Sequence, residues 1–270
     1  MGNKRIINIL KKEWRVQSRD LNSILFVTLL PLLIIGQALL IIWLVERFGG
    51  DAILANNMFQ GAIENLRNAL PAVSGLEIER QLQVFLLSQM NVYLLIIPTM
   101  IAISFATFSI VDEKLSGSLE ALLATPVRTW ELLLSKALAG AVPALLVTWV
   151  CGLVLILGVV GIGWGQTVEM IVTPSLFLSL FLLTPAVALL SFLLGVIGSS
   201  RAKDARSAQN IVLAIIFPVL AVIGLQVSGL VWLTPLITLA LALGVAVLDV
   251  FVLRIAVRLF QRESIVVKWQ

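Results

Sequence analysis

The chain has 270 residues, of which 60% are hydrophobic and only 13% are charged, and its formal net charge is +4. Soluble domains carry about 25% charged residues, so this composition, with a mean hydropathy of +1.06, excludes an ordinary soluble protein. The sequence contains no histidine and one cysteine, Cys151, which argues against a histidine or thiolate metal site and a disulfide framework. We therefore expect an integral membrane protein with no catalytic residues, no metal site and no nucleic-acid partner.

The N-terminal segment, residues 4–19, is predicted to form an amphipathic helix. At about 100° per residue, its cations lie on one arc: Lys4, Arg5, Lys11, Lys12, Arg15 and Arg19. Its large apolar residues lie on the other side: Ile6, Ile7, Ile9, Leu10, Trp14 and Val16. Helices of this kind lie at the lipid headgroup boundary. We expect an interfacial helix within residues 1–20, with Lys11, Lys12, Trp14 and Arg15 at the membrane surface. The alternative is a basic anchor that only fixes topology.

Five long charge-free runs follow, and each exceeds the roughly 20 residues that cross a bilayer as a helix. The last run is twice that length and is interrupted near Thr234-Pro235, so it is interpreted as two spans. The sequence predicts an all-α membrane fold with six transmembrane helices at residues 23–45, 90–111, 138–160, 174–197, 211–225 and 235–253. Residues 46–80, which mix acidic and apolar side chains, are predicted to form one or two short helices near the outer surface.

The distribution of positive charge predicts the orientation. Of the 19 lysines and arginines, all but Arg47, Arg67 and Arg80 lie in the N-terminal segment, the second and fourth connections between spans, or the C-terminal segment. Cytoplasmic loops carry an excess of Lys and Arg. We therefore expect a multi-pass protein of the cell membrane with both termini in the cytoplasm.

The second connection, residues 112–136, is the most polar internal segment and reads DEKLSGSLEALLATPVRTWELLLSK. Leu119, Leu122 and Leu123 give a short helix one apolar face, and Pro126 disfavours helical geometry at the residue before it, which ends that helix. Thr129 is suited to cap a second helix that leads into the third span. The alternative is a solvated connection whose acids pair with Lys114 and Arg128.

This segment resembles the loop after the second span in ABC-2 type permeases. That signature is close to E-x-x-x-G-[ST]-L-E-x-L-L-x-[ST]-P followed by a lysine. The chain matches it at Glu113, Gly117, Ser118, Leu119, Glu120, Leu122, Leu123, Thr125, Pro126 and Lys136. In the family this loop contains a coupling helix that docks on a separately encoded ATP-binding subunit, with the N-terminal helix beside it. The resemblance implies that Glu113, Gly117, Leu119, Glu120, Leu122, Leu123, Thr125 and Pro126 couple the chain to the ATPase, with Glu120 as the polar contact.

The resemblance also implies one permease domain over residues 1–270 that dimerises, as a homodimer or a heterodimer, within the lipid bilayer. Two ATP-binding subunits would bind ATP and Mg²⁺, so this chain would be no enzyme by itself. The expected function is export of a hydrophobic or amphiphilic substrate: a lipid, drug, peptide or ion. Two alternatives stay open, a stand-alone secondary transporter or channel and a membrane scaffold without transport activity.

Three polar residues within or beside the predicted spans are candidate functional groups, because ionisable and polar side chains in lipid are costly. Asp249 is the one acid inside a predicted span, and it is expected either to pair with Arg254 or the 201–206 segment or to carry an ion. Gln37 and Gln226 are expected either to line a pathway or to hydrogen-bond a neighbouring helix.

Overall fold

The computed structural model describes residues 2–19, 21–48, 57–115, 129–201, 224–226, 228 and 232–259. These residues form helices, turns and short connections, and no strand occurs among them. The all-α class predicted from the hydropathy pattern is therefore confirmed for the described part of the chain.

The helices follow one another in chain order with short links. They are α1 (Gly2–Gln17), α2 (Leu21–Phe48), α3 (Asn57–Ala69), a 3₁₀ turn (Pro71–Val73), α4 (Ile78–Ser88), α5 (Met90–Leu115), α6 (Thr129–Ile162), α7 (Gly165–Ile171), α8 (Pro174–Leu178), a π turn (Ser179–Leu183), α9 (Thr184–Arg201) and α10 (Pro235–Leu259). The helix predicted over residues 4–19 corresponds to α1. Helix α6 is described from Thr129 onwards, and the predicted capping role of that residue stays a prediction.

Five stretches in the described ranges are long and apolar enough to cross a bilayer. They are Val27–Phe48, Ile78–Ile110, Thr129–Ile162, Pro174–Ser199 and Pro235–Leu259. They correspond to five of the six predicted spans. The remaining predicted span, 211–225, lies almost entirely outside the described residues, so the total of six spans stays a prediction.

The apolar helical stretch that contains the second predicted span begins well before residue 90. Helix α4 starts at Ile78 and is separated from α5 only by a turn at Gln89, so the apolar helical stretch runs over Ile78–Ile110 and not from residue 90. The prediction placed the outer segment up to residue 80 because Glu79 and Arg80 are charged. These two residues lie in the first turn of α4, where charge does not prevent a helix from starting.

Helices α5, α6 and α9 form the centre of the bundle, and α9 packs most extensively against α5. The two helices approach closely at Gly195, where an added Cβ atom would lie 2.8 Å from the Cβ of Ala106. Small residues allow the backbones of membrane helices to approach closely in this way. Helices α1 and α2 pack on α6, and α10 packs on α9.

The outer faces of the bundle carry large apolar side chains. Leu157 in α6, and Leu236 and Phe251 in α10, are each more than 60% exposed. A soluble protein rarely exposes a continuous apolar surface of this kind, whereas lipid solvates it and the helices satisfy their own backbone groups. The outer surface of the bundle is therefore suited to contact with the lipid of a bilayer.

Candidate functional site

Four ionised side chains meet where α5 ends and α6 begins. We call Lys12, Glu13, Glu113 and Lys136 the charge cluster. The ammonium Nζ of Lys136 lies 2.9 Å from Oε1 of Glu113 and 3.3 Å from Oε1 of Glu13. Lys12 Nζ lies 3.2 Å from the same atom of Glu13 and 3.3 Å from that of Glu113. Three separate helices, α1, α5 and α6, are thus joined at one point.

A hydroxyl group completes the coordination of the central lysine. Lys136 donates a hydrogen bond of 2.6 Å to Oγ of Ser109, and that hydroxyl donates to Oε2 of Glu13 at 3.2 Å. Ser109 and Glu113 are four residues apart in α5, so they lie on the same face of that helix. The spacing within α5 therefore presents a hydroxyl and a carboxylate together to the lysine of α6.

The cluster is buried except for one of its lysines. Lys136, Glu13 and Glu113 are 2%, 5% and 7% exposed, whereas the side chain of Lys12 is 51% exposed. An isolated buried charge is strongly unfavourable unless it is paired and hydrogen-bonded. Two carboxylates and two ammonium groups balance here, and this balance permits the burial.

The electrostatic environment keeps the α1 partners charged. Burial alone would raise the pKa of Glu13, but the ammonium groups of Lys136 and Lys12 outweigh it and hold that pKa below its ordinary value of 4.5. Burial alone would lower the pKa of Lys12, and the carboxylates of Glu13 and Glu113 outweigh it and raise the pKa above 10.5. Both groups are therefore ionised at neutral pH.

A second contact fixes α1 on α6 beside the charge cluster. The indole Nε1 of Trp14 donates a hydrogen bond of 2.9 Å to the backbone carbonyl of Ala139. Lys11 and Arg15 are exposed on the other sides of α1. Of the residues predicted to lie at the membrane surface, Lys12 and Trp14 thus contact other helices, whereas Lys11 and Arg15 are exposed.

The structure brings together only part of the site that the sequence predicted. Glu113 is buried in the charge cluster. The other residues of the predicted coupling site lie outside the described residues: Gly117, Leu119, Glu120, Leu122, Leu123, Thr125 and Pro126. The described helices do fix both ends of that loop, because α5 ends at Leu115 and α6 starts at Thr129.

Sequence reasoning missed Glu13. It sorted α1 into cations and apolar residues, and it gave no role to the single acid among them. Glu13 is nevertheless the most deeply buried residue of α1 whose exposure the structure describes. The available signal was this carboxylate itself, since one acid in a strongly basic helix indicates an internal partner.

The candidate intramembrane groups separate into three cases. Gln37 is exposed on α2. Gln226 is 3% exposed, and its Nε2 donates a 3.2 Å hydrogen bond to the backbone carbonyl of Ser88 in α4. Of the two predicted roles for Gln226, this is the hydrogen bond to a neighbouring helix. Asp249 is 6% exposed, and in the described part of the chain its Oδ1 has no hydrogen-bond partner.

The predicted pairing of Asp249 with Arg254 is wrong. No ion pair joins these two residues of α10, and Arg254 is exposed. Five residues correspond to about 140° around a helix, so the two side chains leave α10 in different directions. The other predicted partner, the 201–206 segment, lies outside the described side chains.

Comparison with known proteins identifies the family. The model of a family described as ABC-2 family transporter protein matches residues 7–241, a range that contains the whole charge cluster but not Asp249. No curated protein and no solved structure gives a significant match. The family resemblance stated for the loop is confirmed, because the match covers most of the chain. This protein belongs to the ABC-2 transporter family, whose members are membrane subunits for transport and are not themselves catalytic.

Proposed function

We propose that this chain is the permease subunit of an ATP-driven exporter. It dimerises in the cell membrane and couples to two copies of a separate ATP-binding subunit, which hold ATP and Mg²⁺. Its substrate is hydrophobic or amphiphilic. The chain forms one permease domain over residues 1–270, with both termini and the loop 112–136 in the cytoplasm and residues 46–80 outside.

The observation that carries this proposal is the position of the charge cluster. Segment 116–128 joins the ends of α5 and α6, and Lys136 ties both ends to α1 through Glu113 and Glu13. A force applied to the loop therefore acts on α5 and α6 together. A loosely attached loop would absorb such a force in its own bending.

We assign different roles to the coupling residues. Glu113 is a positioning residue, because its carboxylate is buried and paired with Lys136. We assign the polar contact with the ATP-binding subunit to Glu120, and the apolar contact to Leu119, Leu122 and Leu123. Gly117, Thr125 and Pro126 complete the set of residues that we propose to couple the chain to that subunit.

The orientation rests on the charge distribution and on the cluster itself. The cations of α1 and the ends of α5 and α6 lie at the same end of the bundle, since Lys12 and Glu13 contact Glu113 and Lys136. Positive charge concentrates on cytoplasmic segments. We infer that this end faces the cytoplasm, where an ATP-binding subunit would be found.

The test is purification of the tagged protein from its native membrane in mild detergent. We expect an ATP-binding subunit to co-purify and to be lost when Glu120 is replaced by Arg. Glu64→Arg is the matched control, because Glu64 is an exposed acid on α3, in the predicted outer segment. Equal recovery of the subunit with both variants would refute the role of Glu120. Recovery of the chain alone in the wild type would refute the proposed partner.

One observation favours a second candidate, a stand-alone secondary transporter. Asp249 is a buried acid in an apolar helix, and its Oδ1 has no hydrogen-bond partner in the described part of the chain. Ionisable residues in membrane spans mark proton or ion pathways in many transporters. Transport that continues without any ATPase but stops in Asp249→Asn would support this candidate. ATP-dependent transport that survives the substitution would exclude it.

A further inference from the structure

The exposed side of helix α2 carries one amide group at the middle of the first span. Gln37 lies halfway along Val27–Phe48, so about 15 Å of apolar helix separates it from either end. Its side chain is exposed, and none of the hydrogen bonds of the described residues involves it. Hydrocarbon offers no hydrogen-bond partner to an amide, and an unsatisfied polar group is costly there. The position of Gln37 therefore predicts a partner that the described helices do not supply.

Gln37 belongs to a repeat of accessible positions along α2, which we call the α2 repeat. With spacings of three and four residues in alternation, it comprises Leu30, Leu33, Gln37, Leu40 and Leu44. Leu33 and Leu40 are 63% and 54% exposed, and none of the five side chains is buried. This average spacing of 3.5 residues is the periodicity of a helix that packs along a second helix, and helices in membranes use the same geometry.

The opposite side of α2 packs within the chain. Ile35, Ala38 and Ile42 are at most 5% exposed and belong to the hydrophobic core, where α2 contacts α5 and α6. At about 100° per residue, the α2 repeat covers an arc of about 80°, and its centre lies about 150° from the centre of this buried side. The α2 repeat therefore faces away from α5 and α6 and is free to contact another helix.

A glycine next to Gln37 leaves room for a close approach. Gly36 is exposed, and an added Cβ atom there would meet nothing within 4 Å. The packing of its own chain therefore does not require a glycine at this position, unlike at Gly195, where an added Cβ would lie 2.8 Å from Ala106. Small residues let the backbones of two membrane helices approach closely. A second helix can thus come near α2 at the depth of Gln37, where the amide needs a partner.

We propose that α2 pairs with α2 of a second copy of this chain along the α2 repeat, with Gln37 facing Gln37 of the partner subunit. Two copies with the same orientation in the membrane are related by a two-fold axis along the membrane normal, so each position of the repeat meets its counterpart at the same depth. The amide is self-complementary, because Nε2 donates and Oε1 accepts. A single polar residue in such a repeat also fixes the register and the number of helices. This interface deepens the proposed function, since it rests on the dimer proposed there and identifies the surface that forms it.

The first test is oxidative cross-linking of the full-length protein in its native membrane. Each variant also carries Cys151→Ala, so that the introduced cysteine is the only one in the chain. Leu33→Cys should give a disulfide-linked dimer, because position 33 faces its counterpart across the interface. Leu32→Cys is the matched control, since both leucines are 63% exposed and lie at nearly the same depth, but Leu32 is about 120° from the centre of the α2 repeat. Equal cross-linking through the two positions would overturn the proposal.

The second test addresses the amide. Dimerisation of the purified full-length protein in phospholipid vesicles is measured by Förster transfer between chains that carry a donor or an acceptor on a C-terminal tag. Gln37→Leu removes the amide at similar volume and should weaken dimerisation by about three- to tenfold. Thr28→Val is the matched control, because Thr28 is an exposed polar residue of α2 whose hydroxyl already donates to the carbonyl of Ile24 at 2.7 Å. It should leave dimerisation unchanged.

The outcomes separate this interface from the proposed function. Förster transfer in the wild type without cross-linking through Leu33→Cys would overturn the α2 interface and leave the proposed dimer in place. No transfer in the wild type at any ratio of protein to lipid would overturn the dimer as well. Transfer that is as strong in Gln37→Leu as in the wild type would overturn the pairing of the amides. The vesicles contain no ATP-binding subunit, so this measurement is independent of whether Glu120 binds one.

Discussion

Replacing Lys136 by Met removes the buried cation that neutralises Glu13 and Glu113. Its ammonium group lies 2.9 Å from one carboxylate and 3.3 Å from the other, and its side chain is 1% exposed. The half-exposed Lys12 cannot replace it, since it approaches the cluster from the surface of α1. The variant therefore leaves excess negative charge in a buried site.

Breaking a buried ion pair by removing one partner costs about 3–5 kcal/mol. In a chain of this size each kcal/mol lowers the Tm by about 2–4 °C, as judged from soluble domains. We expect Lys136→Met to lower the Tm in detergent by about 10 °C, measured by intrinsic fluorescence at neutral pH. Adding Glu13→Gln and Glu113→Gln should restore most of this loss, because the site is then uncharged.

The matched control is Lys11→Met, which removes an exposed cation from α1, next to the cluster residue Lys12 in sequence. Its Tm should stay within about 1–2 °C of the wild type, since surface charges contribute little. The reasoning is refuted if Lys136→Met lowers the Tm no more than this control. A triple variant that is no more stable than Lys136→Met alone would show that packing, and not charge, makes the lysine important.

Three further predictions address neighbouring features. The pKa of Glu13 is held below 4.5 in the folded protein, so the stabilisation of the fold by ionised Glu13 is complete above pH 4.5 and is lost as the pH falls through the folded pKa. Hydrogen exchange in α1 should therefore increase in acid. The Glu13→Gln variant should show no such increase. Gly195→Ala places a Cβ 2.8 Å from the facing Cβ of α5 and should cost about 1–3 kcal/mol in unfolding free energy, whereas Gly161→Ala, with nothing within 4 Å, should not destabilise. Trp14→Phe loses the 2.9 Å hydrogen bond to Ala139 and should lower stability by about 1 kcal/mol, and an unchanged Tm would contradict that role.

The helices of this protein were largely predictable because hydropathy is a local property. Apolar runs longer than a bilayer is thick are visible without any tertiary contact, and the helix over residues 4–19 followed from its charge pattern. The ends of the helices were predicted less accurately. The prediction began the second span at residue 90 and ended the outer segment at residue 80, whereas the apolar helical stretch runs back to Ile78.

The candidate site was only partly predictable for a different reason. The motif drew attention to Glu113 and Lys136, but the single acid of α1, Glu13, was not recognised as the second carboxylate of the cluster. The pairing expected for Asp249 failed because proximity in sequence was used without the angular spacing on the helix. Gln226 likewise acquired its hydrogen-bond partner, the carbonyl of Ser88, from a segment distant in the chain.

The sequence by itself determined that the chain lies in a membrane, where most of its spans are, and which loop resembles the coupling loop of its family. These properties depend on composition and on the order of neighbouring residues. Only the tertiary structure decided that Glu13 and Lys136, which are 123 residues apart, share one buried cluster. A buried charge needs a partner in space, and the packing of α1 on α6 decides which residue that partner is.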